Sequence, residues 1–217
     1  MTTTQDDEAI LTGEAPPVHV RGVRTLPWLL TVGGLIGFLA SFDLVVERIH
    51  LLRDPSYVPS CSINPVLSCG SVMTTDQASV FGFTNPLLGV AGFAAVVAVG
   101  MALLAGARMR SWFWWGLLAG ETFGVVFVHW LAFQSLYSIG ALCPYCMVVW
   151  AVTLPIFLYT LLHAATAGHL GLSPQARRRV SALGDYHAAV LIAWYGLFVV
   201  LIALRFWDEW LAMLGIA

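Results

Sequence analysis

The chain has 217 residues, of which 59% are hydrophobic and 10% charged, with a formal net charge of −2 and a mean hydropathy of +0.82. These values lie outside the range of soluble globular domains, so the chain reads as an integral membrane protein. No nucleic-acid partner is expected.

Residues 1–26 form an acidic, polar leader with Asp6, Asp7, Glu8, Glu14 and the pair Pro16 and Pro17. The leader is too poor in apolar groups to fold alone and is read as a disordered cytoplasmic tail. Five apolar stretches of helical length follow, at residues 27–46, 87–107, 112–136, 144–165 and 188–207. Arg21 and Arg24 precede the first, as in a signal peptide. Its apolar run is too long for one, however, and no small-x-small pattern closes it, so it is read as retained. None of the five alternates with the dyad period of a membrane barrel, so their backbone groups must be satisfied within helices. The expected fold is all-α.

Arginine sets the expected orientation, because all ten basic residues are Arg. With a cytoplasmic N-terminus, Arg21, Arg24, Arg108, Arg110, Arg177, Arg178 and Arg179 fall inside and only Arg48, Arg53 and Arg205 outside. That asymmetry favours N-in, C-out. The loop at residues 48–86 and the turn at 137–142 then face the outer compartment and bring all four cysteines to that side. An oxidising compartment lets disulfides form and persist.

Cys61 and Cys69 sit in the long loop, where an isolated pair reads first as a structural staple. Cys143 and Cys146 form a Cys-x-x-Cys with Pro144 at the first helical position, which puts Cys143 at the cap and Cys146 one turn in. A helix N-terminus stabilises thiolate, the species that attacks disulfides. Zinc ligation by all four is a poor alternative, since long apolar segments separate the pairs and no polar shell surrounds them; no metal is expected.

Other residues invite plainer readings. Gly33-x-x-x-Gly37 and Gly116-x-x-x-Gly120-x-x-x-Gly124 are read as faces for close helix packing. Glu121, near the bilayer centre, is read as hydrogen-bonded between helices in preference to a proton path, and His129 likewise as an interhelical hydrogen bonder. Trp112, Trp114 and Trp115 read as an aromatic belt. Phe81, Phe83, Pro86, Leu87 and Leu88 either cover a pocket or anchor the loop at the interface. The run Arg177 to Arg179 is explained as a topology determinant, and the fifth span is expected to pack peripherally.

The ordered set Cys61-Ser62-Ile63-Asn64-Pro65-Val66-Leu67-Ser68-Cys69, then Phe81-Gly82-Phe83-Thr84-Asn85-Pro86, then Cys143-Pro144-Tyr145-Cys146, resembles the vitamin K epoxide reductase family, in particular its bacterial members. The resemblance runs from the first span to the fourth. It implies a four-helix transmembrane bundle around a quinone, here with a fifth, peripheral helix. The domain plan is then a tail at 1–26, a redox domain at 27–166 containing the outer loop 48–86, a cytoplasmic loop at 167–187, and a fifth helix with a short tail at 188–217. The resemblance also implies that Cys143 and Cys146 are the redox centre, that Cys61 and Cys69 are the shuttle pair, and that Asn85 meets a quinone oxygen. Trp150 stands where the family often has an aromatic, Thr75 where a small hydroxyl residue is usual, and Leu88 is placed in the quinone pocket.

The implied activity is a quinone-linked thiol oxidoreductase of the inner (plasma) membrane with its active site on the extracytoplasmic side. Such an enzyme reoxidises a thioredoxin-fold, DsbA-like protein and passes the electrons to menaquinone or ubiquinone. With no thioredoxin-like pattern after the fifth span, that partner is expected to be a separate periplasmic protein. Two other classes are weighed against this. A disulfide generator of the DsbB type would carry its Cys-x-x-Cys in the first outer loop, the opposite order, and a transporter or receptor-like protein with two structural disulfides would show no thiol turnover.

Overall fold

The computed structural model describes residues 25–213 and residue 215; the expected leader falls outside them except for its last two residues. The architecture is an all-α membrane bundle. Helix α1 is Leu26–Arg53, α2 Cys69–Met73, α3 Pro86–Leu104, α4 Ser111–Gln134, α5 Pro144–Thr166, α6 Pro174–Gly184, α7 His187–Arg205 and α8 Trp207–Met213. Five of them, α1, α3, α4 with its extension to Ile139, α5 and α7, are long and apolar enough to cross a membrane. Proline opens α1, α3, α5 and α6, where its missing N–H costs nothing.

The bundle is held unevenly. Helix α1 packs along α3 and, less extensively, along α5, and α4 packs on α5. The α1–α3 contact is glycine-dependent: a Cβ on Gly37 would lie 2.6 Å from the Phe93 ring, and one on Gly100 would lie 2.6 Å from the backbone nitrogen of Thr31. Gly33, 3.5 Å by the same measure from Ile156, serves the neighbouring contact with α5. This is the close approach expected of the first glycine motif. Helices α3 and α4, by contrast, meet only sparsely, and a cavity separates them.

That cavity corrects the reading of the second glycine motif. Gly116, Gly120 and Gly124 line it, and a Cβ on Gly116 or Gly120 would meet nothing within 4 Å. At Gly116 and Gly120 the stripe widens the space beside α4, and at Gly124, where a Cβ would lie 3.9 Å from Thr153, it comes into ordinary contact with α5. The spacing is the same in both motifs, and only the rotation of each helix about its axis separates the two outcomes.

Helix α1 continues to Arg53, so the first six residues assigned to the loop at 48–86 belong to its last two turns. The remaining connection carries α2 and a short 3-10 turn, Asp76–Ser79. Helix α4 runs into a wide π turn, Ser135–Ile139, closed by Gly140 in the left-handed region at φ 71°. Glycine fits there because other residues meet a Cβ penalty. Both connections lie at the same end of the bundle, together with the start of α5.

Helix α7 is peripheral and buries no residue fully, yet it is tied on by specific bonds. Trp194 Nε1 donates to His129 Nε2 at 2.8 Å, and Tyr195 Oη donates to the Ala151 carbonyl at 2.6 Å. His129 therefore makes the interhelical bond expected of it. Glu121 does so too, accepting from Thr160 Oγ1 at 3.0 Å between α4 and α5.

Candidate redox site

The site grows from the way the two connections are stitched together. Leu142 donates its N–H to the Val66 carbonyl at 2.7 Å and accepts from the Ser68 N–H at 2.8 Å, a two-bond parallel bridge. Asn64 shapes the loop side of it, its Oδ1 accepting from the N–H groups of Val66 at 3.0 Å and Leu67 at 2.7 Å. The residues that follow the two bridged segments are Cys69 and Cys143. Their sulfurs lie 3.1 Å apart, both fully buried.

Cys61 and Cys69 are joined as a disulfide, while Cys143 and Cys146 are free thiols. Cys143 is the cap residue of α5, and its sulfur accepts from the Cys146 N–H at 3.4 Å. The Cys146 thiol beside it holds the Cys143 thiol below the ordinary cysteine value; burial opposes this, and the N–H groups of Cys146 and Tyr145 reinforce it. The free pair thus places a thiol whose ionisation is favoured in contact with a disulfide sulfur, the arrangement from which exchange proceeds. Leu44, Val72, Met73 and Tyr145 pack around the four cysteines.

The sulfurs of Cys61, Cys69 and Cys143 lie within 4.8 Å of one another. Reduced thiols at that spacing are chemically able to hold a soft cation. Here two of the three are bonded to each other, and apolar side chains surround them.

From the cysteines a cavity of about 770 Å³ extends between α3, α4 and α5 to Trp112 and Phe113 at the far end. Its volume is that of a small-molecule or cofactor pocket, and its lining is predominantly apolar with a few convergent polar groups. Cys143 and Cys146 line the cavity, as do Thr75, Asn85, Leu88 and Trp150. A prenylated quinone fits that chemistry, with an apolar tail suited to the Gly and Val walls and ring oxygens suited to the few donors at the thiol end.

Asn85 is committed on two sides. Its Nδ2 donates to the Gln77 carbonyl at 2.7 Å, and its Oδ1 accepts from the Val80 N–H at 3.3 Å. A primary amide has two N–H donors, and Asn85 uses one of them among the described residues. Thr75 donates to the Val72 carbonyl at 2.8 Å. Trp150 is 4% exposed and backed by Phe198 of α7, the ring centroids 6.0 Å apart. Phe81 lies against Phe123 and Phe127 of α4, so the loop before α3 folds over the cavity wall while Phe81 and Phe83 stay about half exposed.

Several residues at this end were not singled out in the sequence. Glu47, buried near the end of α1, accepts from the backbone N–H and hydroxyl of Ser60, the residue before Cys61. A membrane carboxylate is a functional signal by default, and that signal was there to be used. Asn64 was visible as part of an Asn-Pro turn. Nothing local marked Leu142 or Arg205.

Two cysteine pairs in contact at the mouth of an apolar cavity walled by membrane helices define a membrane-embedded dithiol redox protein. The chain belongs to the vitamin K epoxide reductase family, whose model matches residues 28–161, from α1 into α5. It is accordingly an oxidoreductase, of a family that is generally quinone-dependent and works with a thioredoxin-like partner. No match is found among curated proteins.

Proposed function

We propose that the protein is a quinone-linked thiol oxidase that reoxidises a separate thioredoxin-fold protein and so drives disulfide formation outside the cytoplasm. The observation that carries this reading is the 3.1 Å approach of Cys69 to Cys143. In this reading the N-terminus is cytoplasmic, the cysteines face the periplasm, and the protein resides in the inner membrane, in agreement with the Arg asymmetry.

The electrons move by exchange. A thiolate of the partner attacks Cys61, forming a mixed disulfide and releasing Cys69 as thiolate. Cys69 attacks Cys143 of the oxidised Cys143–Cys146 pair, and Cys146 leaves as thiolate. The partner's second thiol frees Cys61 and departs oxidised; Cys61 then attacks Cys69 of the Cys69–Cys143 bridge. This restores the loop disulfide and leaves Cys143 and Cys146 reduced, so two electrons have passed inward without a metal. A quinone, menaquinone or ubiquinone, supplies the sink for the two electrons and two protons released when Cys143 and Cys146 close again. Asn85, with its remaining N–H, and Thr75, Leu88 and Trp150 would hold the quinone in the cavity that Cys143 and Cys146 also line.

The test is a trap. In Cys146→Ser, Cys143 attacks Cys69 with Cys61 as leaving group; Cys146 is gone as a thiol that could attack Cys143, so the freed Cys61 is what remains to reverse the step. Blocking the freed Cys61 thiol retains the product. Peptide mass spectrometry is expected to recover a Cys69 to Cys143 disulfide with Cys61 alkylated. A Cys61 to Cys143 bridge would reverse the loop assignment, and no bridge between the pairs would reduce them to structural disulfides.

A further inference from the structure

The family match stops at residue 161, within α5, and says nothing of α7 or α8. The corner between those two helices is nevertheless built into the redox end. Phe206 is 1% exposed and clusters with Val66, Leu136, Leu142 and Trp150. Arg205 Nε donates to the Leu136 carbonyl at 2.8 Å, inside the π turn that ends α4. The guanidinium carbon also sits 5.4 Å from the Phe206 ring centroid.

The physical weight of that bond comes from the turn. The last carbonyls of a helix lack partners within it, and Leu136, 2% exposed, offers its carbonyl little access to water even though the turn lies at the redox end of the bundle. A bond from a cation is roughly twice as strong as a neutral one and fixes the carbonyl's direction. The same turn hands the chain to Gly140 and on to Leu142. Leu142 in turn holds Val66 and Ser68 by its two backbone bonds, and each bridged segment leads directly into Cys143 or Cys69.

We infer that Arg205, supported by Phe206, positions the turn before Cys143 and thereby sets the approach of Cys143 to Cys69. The fifth membrane helix is then a brace for inter-pair transfer. This rests on the proposed exchange between Cys69 and Cys143. The competing account is that Arg205 only anchors the end of a peripheral helix at the membrane surface, with its stem lying on apolar neighbours.

The test compares Arg205→Gln and Arg205→Lys in full-length protein in lipid nanodiscs with two electron donors: a reduced thioredoxin-fold oxidase, which enters through Cys61, and a small dithiol that reduces Cys143 and Cys146 directly. Arg205→Gln is expected to slow turnover with the protein donor on the order of tenfold, short of the roughly hundredfold that a 1 Å misplacement costs. Its turnover with the small dithiol stays unchanged. Arg205→Lys, which keeps a donor cation, recovers most of the protein-donor rate. In the Cys146→Ser background, Arg205→Gln also lowers the yield of the Cys69 to Cys143 bridge, read without donor or quinone. Equal losses with both donors would make Arg205 a general stabiliser, and no loss with either would make it an anchor; both overturn the inference. If the parent protein oxidises no protein donor, the proposed function falls, while the bridge yield still decides the role of Arg205.

Discussion

Replacing Asn85 by Ala separates two jobs that the structure gives one side chain. Asn85 is 7% exposed, and its amide ties the loop before α3 to itself, through Gln77 at 2.7 Å and Val80 at 3.3 Å. Removing it strands the Gln77 carbonyl, at a cost of about 1–3 kcal/mol. The Val80 bond is longer and adds less. Asn85 lines the cavity, and the amide's remaining N–H is the group proposed to meet a quinone oxygen. A neutral hydrogen bond of that kind is worth about 0.5–1.5 kcal/mol, which converts to roughly two- to twelvefold in quinone KM. The assay is a quinone titration in nanodiscs at saturating small dithiol, so that the loop pair takes no part, with thermal unfolding followed in parallel. Both a rise in quinone KM within that range and a lower unfolding midpoint are expected. Ser62→Ala, which removes a loop bond to the Gly70 N–H at 3.2 Å, serves as control and should lower the midpoint alone. An unchanged quinone KM in Asn85→Ala with a lowered midpoint would refute the quinone contact and leave Asn85 as a loop tether.

The two glycine motifs should respond oppositely to bulk. Gly120→Leu meets open cavity and should keep the unfolding midpoint while weakening quinone-dependent turnover; Gly37→Leu must displace Phe93 and should destabilise by about 1–3 kcal/mol, the usual cost of overpacking. Unfolding of Gly120→Leu to the same extent as Gly37→Leu would return that stripe to helix packing. A reporter active only outside the cytoplasm should be active when fused after Cys69 and silent after Arg179; the reverse pattern would put the thiols in a reducing compartment and end the proposed mechanism.

The sequence by itself determined what rests on length and local chemistry. A run of apolar residues long enough to cross a bilayer must become a helix there, because only internal hydrogen bonds satisfy its backbone. Counting such runs sufficed to bring Cys61, Cys69, Cys143 and Cys146 to one end. Pro144 after Cys143 likewise marked a cap, since capping is decided within one turn. The tertiary structure alone decided what depends on rotation and on distant partners. Membrane helices are apolar on every side, so their sequences carry little phase to say which face turns inward. Gly37 and Gly120 accordingly look alike in sequence, while one meets a ring and the other a cavity. Cys69, not Cys61, lies nearest Cys143 because Leu142 bridges Val66 and Ser68, a pairing across more than seventy residues that no local pattern encodes. Arg205 reaches Leu136 for the same reason: its partner is a backbone carbonyl, which every residue carries and no sequence marks.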